Sequence, residues 1–207
     1  MTLLELGRLL GGMIKGEPDY EIRGVRDIER LSPEQALEEH FVYFVESKAV
    51  LKRHPLAAAG GVVLTPLAIS EGFRRSVAVS GDARLALIRL LSHFDKAPKF
   101  PAGVSPLALV DPTAKIGEGS SVLAGAVVMA GVVVGPRCTL YPGVVLEPHA
   151  EIGEGTVIYP NTVIGHHCVV GKRVLLHGGT VIGADGFGFY DEKGGRHKVP
   201  QIGNVVI

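Results

Sequence analysis

The chain has 207 residues, 46% of them hydrophobic, and its 21 basic and 21 acidic side chains give a formal net charge of zero. This is enough apolar material for one large or two modest domains, and the balanced charge excludes overall electrostatic steering towards nucleic acid. The amino terminus lacks the basic and apolar stretches of a secretion signal, and the most apolar run, 56–69, is broken by Pro66 and too short to span a membrane. We therefore expect a cytoplasmic protein that binds no nucleic acid and has no membrane span.

The first 97 residues predict a small α/β domain. Thr2 and Glu5 have the spacing of a capping box, which opens a short amphipathic helix that ends at Gly11. Asp82 is a second capping residue, at the start of a longer amphipathic helix. In chain order, the predicted elements are a helix over 2–11, a strand over 20–28, a helix beginning at 32–35, strands over 41–45 and 61–64, and a helix over 82–94.

Residues 98–103 predict a linker, since proline recurs there, and the chain beyond them has a period of six residues. From Val104 to Ile182, fourteen positions at this spacing are all Val, Leu or Ile, and the fourth residue after each is small. Neither a helix nor an ordinary strand has this period, which is typical of a hexapeptide β-helix with three hexads, about 18 residues, in each coil. Glycines such as Gly117 and Gly135 follow inward aliphatic residues, and we expect them to adopt the corner dihedral angles.

The six-residue period fails after Ile182, where the next three positions are two glycines and a proline. Residues 184–201 therefore predict a loop inserted into a β-helix that extends over 104–207. A complete solenoid carries an atypical capping element at its end, and none follows the aliphatic strand that ends at Ile207. We expect the chain to be the amino-terminal piece of a longer protein, whose carboxyl-terminal coils and cap are missing here.

Two strings of the loop are distinctive. Gly179 begins Gly-Thr-Val-Ile-Gly-Ala-Asp-Gly-Phe-Gly-Phe, and Lys198 begins Lys-Val-Pro-Gln-Ile-Gly. Together with an α/β domain and a hexad solenoid, these strings resemble the UDP-3-O-acylglucosamine N-acyltransferases of lipid A synthesis. The resemblance implies a left-handed β-helix and a homotrimer that transfers a 3-hydroxyacyl group from acyl carrier protein to the 2-amine of UDP-3-O-acylglucosamine. The acyl donor is carried on the phosphopantetheine of the carrier protein, so the resemblance implies no cofactor.

The same resemblance implies residues that bind the substrate. In the loop these are Asp185, Phe187, Phe189 and Gln201. The family's general base is a histidine in an Ala-His-Asn setting, and no histidine of this sequence has that setting. We therefore expect the catalytic histidine beyond Ile207, no catalytic residue within the chain, and no activity from these 207 residues alone.

The family binds uracil with a Phe-x-x-Asn-x-x-Tyr arrangement after a strand of its uridine-binding domain, which residues 1–97 resemble. Its best placement here gives Phe44, Ser47 and Val50. Phe44 is suited to stack on the base, whereas Ser47 reaches less far than Asn and Val50 offers no second aromatic face. These departures leave open a non-catalytic scaffold that binds sugar nucleotides.

The histidines of the solenoid raise a further alternative, a metal-dependent hydratase of the γ-carbonic-anhydrase type. His166 and His167 are adjacent, and on a flat strand their side chains point to opposite sides, so we predict no metal site. His149 precedes His167 by 18 residues and is placed to stack on it. Cys138 and Cys168 fall on small inward positions and are expected to be buried, reduced thiols.

Overall fold

A computed structural model describes the backbone of residues 1–207 and every side chain except that of residue 58. The chain divides into two compact units, residues 1–97 and 98–207. The first unit has an α/β fold and the second is a β-helix. Within the described part of the chain, every helix is too short or too polar to cross a bilayer.

The first unit is built on one five-stranded sheet with two longer helices. In chain order its elements are α1 (Leu3–Leu10), β1 (Met13–Lys15), β2 (Gly24–Arg26), a 3-10 turn (Ile28–Arg30), β3 (Phe41–Phe44), α2 (Lys48–Arg53), a 3-10 turn (Pro55–Ala58), β4 (Val62–Pro66), a 3-10 turn (Leu67–Ile69), β5 (Ser76–Val79) and α3 (Ala83–Phe94). The strand order is β1-β5-β4-β3-β2. The pairs from β2 to β5 are parallel, and β1 is antiparallel to β5.

The predicted helix caps are confirmed. The backbone N of Thr2 donates to Glu5 Oε2 (2.7 Å), and the backbone N of Glu5 donates to Thr2 Oγ1 (3.2 Å). The helix ends at Gly11, whose φ of 62° favours glycine. Asp82 Oδ1 accepts hydrogen bonds from the first two backbone N–H groups beyond α3's first residue. These bonds satisfy N–H groups that otherwise have no partner within a helix.

Side chains alternate between the two faces of the sheet, and both faces are buried. Val42 and Val62 pack on one face against α1 and α3, including the fully buried Leu90. Tyr43 and Val63 pack on the other face beneath the loops and short helical turns. Because parallel strands are buried on both faces, their sequences read as short apolar runs without a polar side.

Two predictions for the first unit are wrong. Residues 32–35 form a single turn and no helix, since the segment offers one buried apolar side chain, Leu37, and no apolar stripe. The strand predicted over 20–28 is confined to β2, because Asp27 accepts a hydrogen bond from the backbone N of Glu29 and starts a 3-10 turn.

The second unit is a left-handed β-helix of short parallel strands, as predicted. The strands of its coils are β6 (Gly103–Val104), β7 (Leu109–Val110), β8 (Lys115–Ile116), β9 (Ser121–Val122), β10 (Val127–Val128), β11 (Val133–Val134), β12 (Thr139–Leu140), β13 (Val145–Leu146), β14 (Glu151–Ile152), β15 (Val157–Ile158), β16 (Val163–Ile164), β17 (Val169–Val170), β18 (Leu175–Leu176) and β19 (Val181–Ile182). They form three sheets, with orders β19-β16-β13-β10-β7, β17-β14-β11-β8 and β18-β15-β12-β9-β6.

Each coil stacks its aliphatic residues on those of the next. Val127 pairs with Val145, 18 residues on, and every ladder in the coils repeats this offset until the loop. The inward residues Leu140, Ile158 and Ile164 have no solvent exposure, so the apolar interior is continuous along the axis.

The glycines that follow inward aliphatic residues do not adopt the predicted corner dihedral angles. Positive φ falls two residues later, at Gly119 (73°) and Gly155 (69°), and also at non-glycine residues such as Asn161 (60°). A Cβ on Gly117 would instead lie 2.4 Å from the carbonyl carbon of Gly135 in the next coil. Glycine is needed at this corner because successive coils approach closely.

The inserted loop contains an antiparallel hairpin, β20 (Phe189–Glu192) with β21 (Gly195–Lys198), whose residues are exposed. The coil then resumes, with Val206 bridging to Val169 at an offset of 37 residues, 19 more than the coil repeat. At the other end of the unit, Phe100 packs edge-on against Tyr141, with ring centroids 5.1 Å apart. Part of the predicted linker therefore lies against the β-helix.

Candidate functional sites

A cavity of about 380 Å³ lies in the first unit, beside the carboxyl ends of β2 and β3. Ligands of open α/β sheets bind at this edge of parallel strands. Phe44, Val50 and Leu87 are among its apolar lining residues. Its polar lining comes from Arg26, Asp27, Glu29 and Glu46. The cavity thus combines an apolar slot with a charged rim, a combination that suits an amphipathic small molecule.

One charged group of the rim is fixed by a two-pronged ion pair. Arg84 donates to Glu46 through Nε (2.7 Å to Oε1) and Nη2 (3.0 Å to Oε2). This hydrogen-bonded carboxylate raises the pKa of the Arg84 guanidinium. Another rim residue, Arg26, places its guanidinium 4.2 Å from the centre of the Phe41 ring and pairs with Glu38 at 3.2 Å.

The structure brings two of the three residues of the uracil-binding placement together. Phe44 and Val50 both line the cavity, one at the end of β3 and the other within α2. Ser47 is exposed at the start of α2 and lies outside the cavity lining. Sequence spacing located Phe44, but it gave no sign of Glu29, which precedes it by 15 residues and lines the same cavity.

A second cleft, of about 230 Å³, lies where the inserted loop leaves and rejoins the β-helix. Asp185 and Gln201 line it, together with His166 and Asn204. The Asp185 carboxylate forms an ion pair with Lys198, which joins the two ends of the loop. The side-chain amide of Asn204 donates to the backbone carbonyl of His167 (2.7 Å).

The two loop phenylalanines lie apart from this cleft lining. Phe187 is 89% exposed and packs edge-on against Phe189, with ring centroids 5.2 Å apart. The Arg196 guanidinium lies 5.1 Å from the centre of the Phe189 ring. The four predicted loop residues therefore divide into a polar pair at the loop base and an exposed aromatic pair further out.

The histidines are arranged partly as predicted. His149 and His167 stack on successive coils, with ring centroids 5.0 Å apart and planes 13° apart. His166 and His167 lie in a corner turn, where His167 has a φ of 57°, so the argument from a flat strand was wrong. His166 Nδ1 lies 3.6 Å from Glu147 Oε2. Among the described residues, no three His, Cys, Asp or Glu side chains converge on one point suited to a metal ion.

Cys138 and Cys168 are buried free thiols, as predicted. Burial raises the pKa of the Cys138 thiol. The Cys138 Sγ lies 3.1 Å from the carbonyl oxygen of Gly153, so this thiol bonds to the next coil within the interior.

Comparison with known proteins gives relatives along the whole chain. A protein of Cellvibrio japonicus named UDP-3-O-acylglucosamine N-acyltransferase is 42% identical over 206 residues, an alignment that covers 100% of this chain and 58% of the relative. The protein of the same name from Pseudomonas putida is 33% identical over 219 residues, covering 100% of this chain and 57% of the relative. The chain thus spans somewhat more than half the length of these relatives.

The β-helix also matches a family model, and the fold matches solved structures. The model described as the GMPPB C-terminal domain matches residues 104–186. The acetyltransferase domain of PglB from Neisseria gonorrhoeae is 25% identical, with a TM-score of 0.33, over 89% of this chain and 86% of that one. From the relatives that cover every residue and from its six-residue repeat, the chain matches the UDP-3-O-acylglucosamine N-acyltransferase family over its whole length and has the hexapeptide-repeat fold of acyltransferases.

Proposed function

We propose that this chain is part of an N-acyltransferase that moves a 3-hydroxyacyl group from acyl carrier protein to the 2-amine of UDP-3-O-acylglucosamine. The observation that carries the proposal is the alignment of all 207 residues, at up to 42% identity, with proteins of that name. The cavity of the first unit and the cleft at the loop base supply two places for the parts of such a substrate.

The proposed reaction forms an amide and breaks a thioester. A base removes a proton from the substrate amine, the nitrogen attacks the thioester carbonyl carbon, and the phosphopantetheine thiol leaves with a proton. Hydrogen-bond donors that stabilise the oxyanion of the tetrahedral intermediate lower the barrier further. The donor brings its own phosphopantetheine, so the proposal requires no cofactor held by the chain.

The cavity of the first unit is the proposed nucleotide site. The exposed part of the Phe44 ring offers a stacking surface to a base, and Val50 and Leu87 complete an apolar slot around it. Polar groups at the rim then face the more hydrophilic parts of the nucleotide. This division matches the chemistry of a uridine diphosphate sugar, with an aromatic base at one end and hydroxyls and phosphates beyond it.

A homotrimer is also part of the proposal. One face of the β-helix has an outward column made only of aliphatic residues, which are Leu109, Val127, Val145, Val163 and Val181. The second face carries Lys115 and Glu151 in its outward column, and the third carries Ser121 and Thr139. An exposed aliphatic column on a solenoid face suits packing against another copy of the chain.

Titration with UDP-N-acetylglucosamine tests the nucleotide site. We expect the chain to bind this ligand, and Phe44→Ala to weaken binding about tenfold or more, since the stacking of a base on an aromatic ring contributes about 1–3 kcal/mol. Tyr190→Ala removes an exposed ring of the hairpin and is expected to leave the affinity unchanged. Isothermal calorimetry measures both. Absence of binding, or equal losses in the two variants, would contradict the proposed site.

A further inference from the structure

Three carboxylates line the cavity of the first unit, and two of them are already engaged. Both oxygens of Glu46 accept hydrogen bonds from Arg84. Asp27 Oδ1 accepts from a backbone N–H (3.1 Å), and its Oδ2 lies 3.9 Å from Arg30 Nε. The third carboxylate, Glu29, is therefore the one with an oxygen left for a ligand.

Glu29 is held in place from one side. Arg53 Nη2 donates to Glu29 Oε1 at 2.6 Å, and His54 Nε2 lies 3.8 Å from Glu29 Oε2. His54 is only 6% exposed, and its Nδ1 has no hydrogen-bond partner among the described residues. Glu29 Oε2 likewise accepts no hydrogen bond within the described part of the chain. One oxygen is thus anchored by Arg53, while the other remains an open acceptor on a carboxylate that lines the cavity.

We infer that Glu29 Oε2 accepts hydrogen bonds from the vicinal hydroxyls of a ribose in this cavity, and so makes the site selective for ribonucleosides. The inference rests on the proposed function in one respect, that a nucleotide occupies the cavity. Hydroxyl groups donate short, charge-assisted hydrogen bonds to a carboxylate. A carboxylate at the edge of an α/β sheet commonly binds ribose hydroxyls.

The base itself is a poor partner for Glu29. A carboxylate only accepts hydrogen bonds, whereas the pairing edge of uracil has one N–H between two carbonyl oxygens, which repel a second set of oxygens. The apolar slot formed by Phe44, Val50 and Leu87 suits the ring instead. Arg53 and His54 act as positioning residues, because a carboxylate fixed before binding loses less conformational entropy when the ligand arrives.

Two nucleosides that differ only in these hydroxyls test the inference. Uridine and 2′,3′-dideoxyuridine are titrated into the unaltered chain, Glu29→Ala and Glu34→Ala, with NMR chemical shifts as the readout. We expect the unaltered chain to bind uridine about tenfold more tightly, the size expected for a hydrogen bond to a charged group. Glu29→Ala is expected to bind both nucleosides with the affinity that the unaltered chain has for dideoxyuridine. Glu34, an exposed residue outside the cavity lining, serves as the matched control and is expected to keep the tenfold preference.

Further variants separate positioning from folding. Glu29→Gln retains a carbonyl acceptor and is expected to keep part of the preference. Arg53→Met is expected to reduce the preference for uridine without changing the affinity for dideoxyuridine, an outcome that a general loss of structure would not produce. Equal binding of the two nucleosides by the unaltered chain, or a preference that survives in Glu29→Ala, overturns the inference alone. Failure of both nucleosides to bind overturns the nucleotide site of the proposed function and, with it, the inference.

Discussion

An alanine at position 153 tests why glycine is required where successive coils meet. A Cβ on Gly153 would lie 2.4 Å from both the carbonyl carbon and the oxygen of Gly171. Since carbon contacts are most favourable at about 3.5–4.0 Å, the two coils have to separate by roughly 1 Å. That movement stretches the hydrogen bond from Gly153 N to Val170 O (2.7 Å) and the one from Thr156 Oγ1 to Gly171 O (2.9 Å).

The expected cost of Gly153→Ala follows from these contacts. Overpacking in a close-packed interior costs about 1–3 kcal/mol, and a weakened hydrogen bond adds about 1 kcal/mol. We therefore expect a fall of about 2–4 kcal/mol in the free energy of unfolding of the β-helix. Hydrogen exchange of the coil amides is the suitable measurement, because it reports the β-helix separately from the first unit.

The matched control is Gly155→Asn. Gly155 has a φ of 69°, but the nearest atom to a Cβ there is Arg173 Cγ at 3.5 Å. Asn161 adopts a φ of 60° at an equivalent corner, and asparagine tolerates this region better than most residues. We expect a change of less than about 1 kcal/mol. A Gly155→Asn loss equal to or larger than that of Gly153→Ala would refute the argument that close approach, and not dihedral angle, requires glycine at position 153.

Three further predictions concern stability and assembly. Thr156→Val leaves the carbonyl of one coil and an N–H of the next without their shared hydroxyl partner, so we expect a loss of about 2 kcal/mol in the same exchange measurement, with Thr156→Ser close to the unaltered chain. Glu17 has a pKa lowered by a backbone hydrogen bond and by Arg75, so its stabilising contribution is complete above the usual value of 4.5 and is lost as the pH falls through the lowered pKa. In Arg75→Met we therefore expect a smaller fall in the urea midpoint between neutral pH and pH about 3, and an unchanged fall would contradict this coupling. Val145→Glu places a charge in the aliphatic column and is expected to convert trimers to monomers in analytical ultracentrifugation, whereas Val133→Glu, on another face, is expected to leave the trimer intact.

The β-helix was predictable because its determinants are local and repeated. Each hexad places one aliphatic residue inward, so the same signal recurs from Val104 to Ile182 and no single position decides the outcome. Capping residues are equally local, which is why Thr2 and Asp82 located the starts of α1 and α3. In the β-helix, the error concerned glycine, since the spacing of Gly117 does not distinguish a dihedral requirement from a contact with the next coil.

Short elements of the first unit were missed because they carry no periodic signal. All four residues of β5 are buried, so the strand shows no alternation of apolar and polar side chains. In contrast, β1 has three residues and lies at the edge of the sheet. None of the residues of α2 is buried, so the helix has no apolar stripe to detect. Tertiary pairing, and not local pattern, determines these three elements.

The candidate nucleotide site was only half visible for a related reason. Phe44 follows a recognisable apolar strand, whereas Glu29 acquires its role from Arg53, 24 residues further along the chain. No spacing rule connects an acidic residue of a 3-10 turn with the last residue of a short exposed helix. Their contact arises because β2 and β3 are neighbours in the sheet, so the segments that follow the two strands meet at the same edge.

The loop shows how a rigid repeat can hold a site that the repeat itself does not encode. When the coil resumes, Val169 donates to the carbonyl of Val205 (2.9 Å) and accepts from Ile207 (2.9 Å), so the chain rejoins the ladder in register despite 19 additional residues. Asp185 and Gln201, close to the two junctions, are therefore framed by paired backbone, whereas the hairpin beyond them is exposed on all sides. Residues that need fixed geometry are best placed at such junctions, and residues that contact a moving partner are best placed on the hairpin.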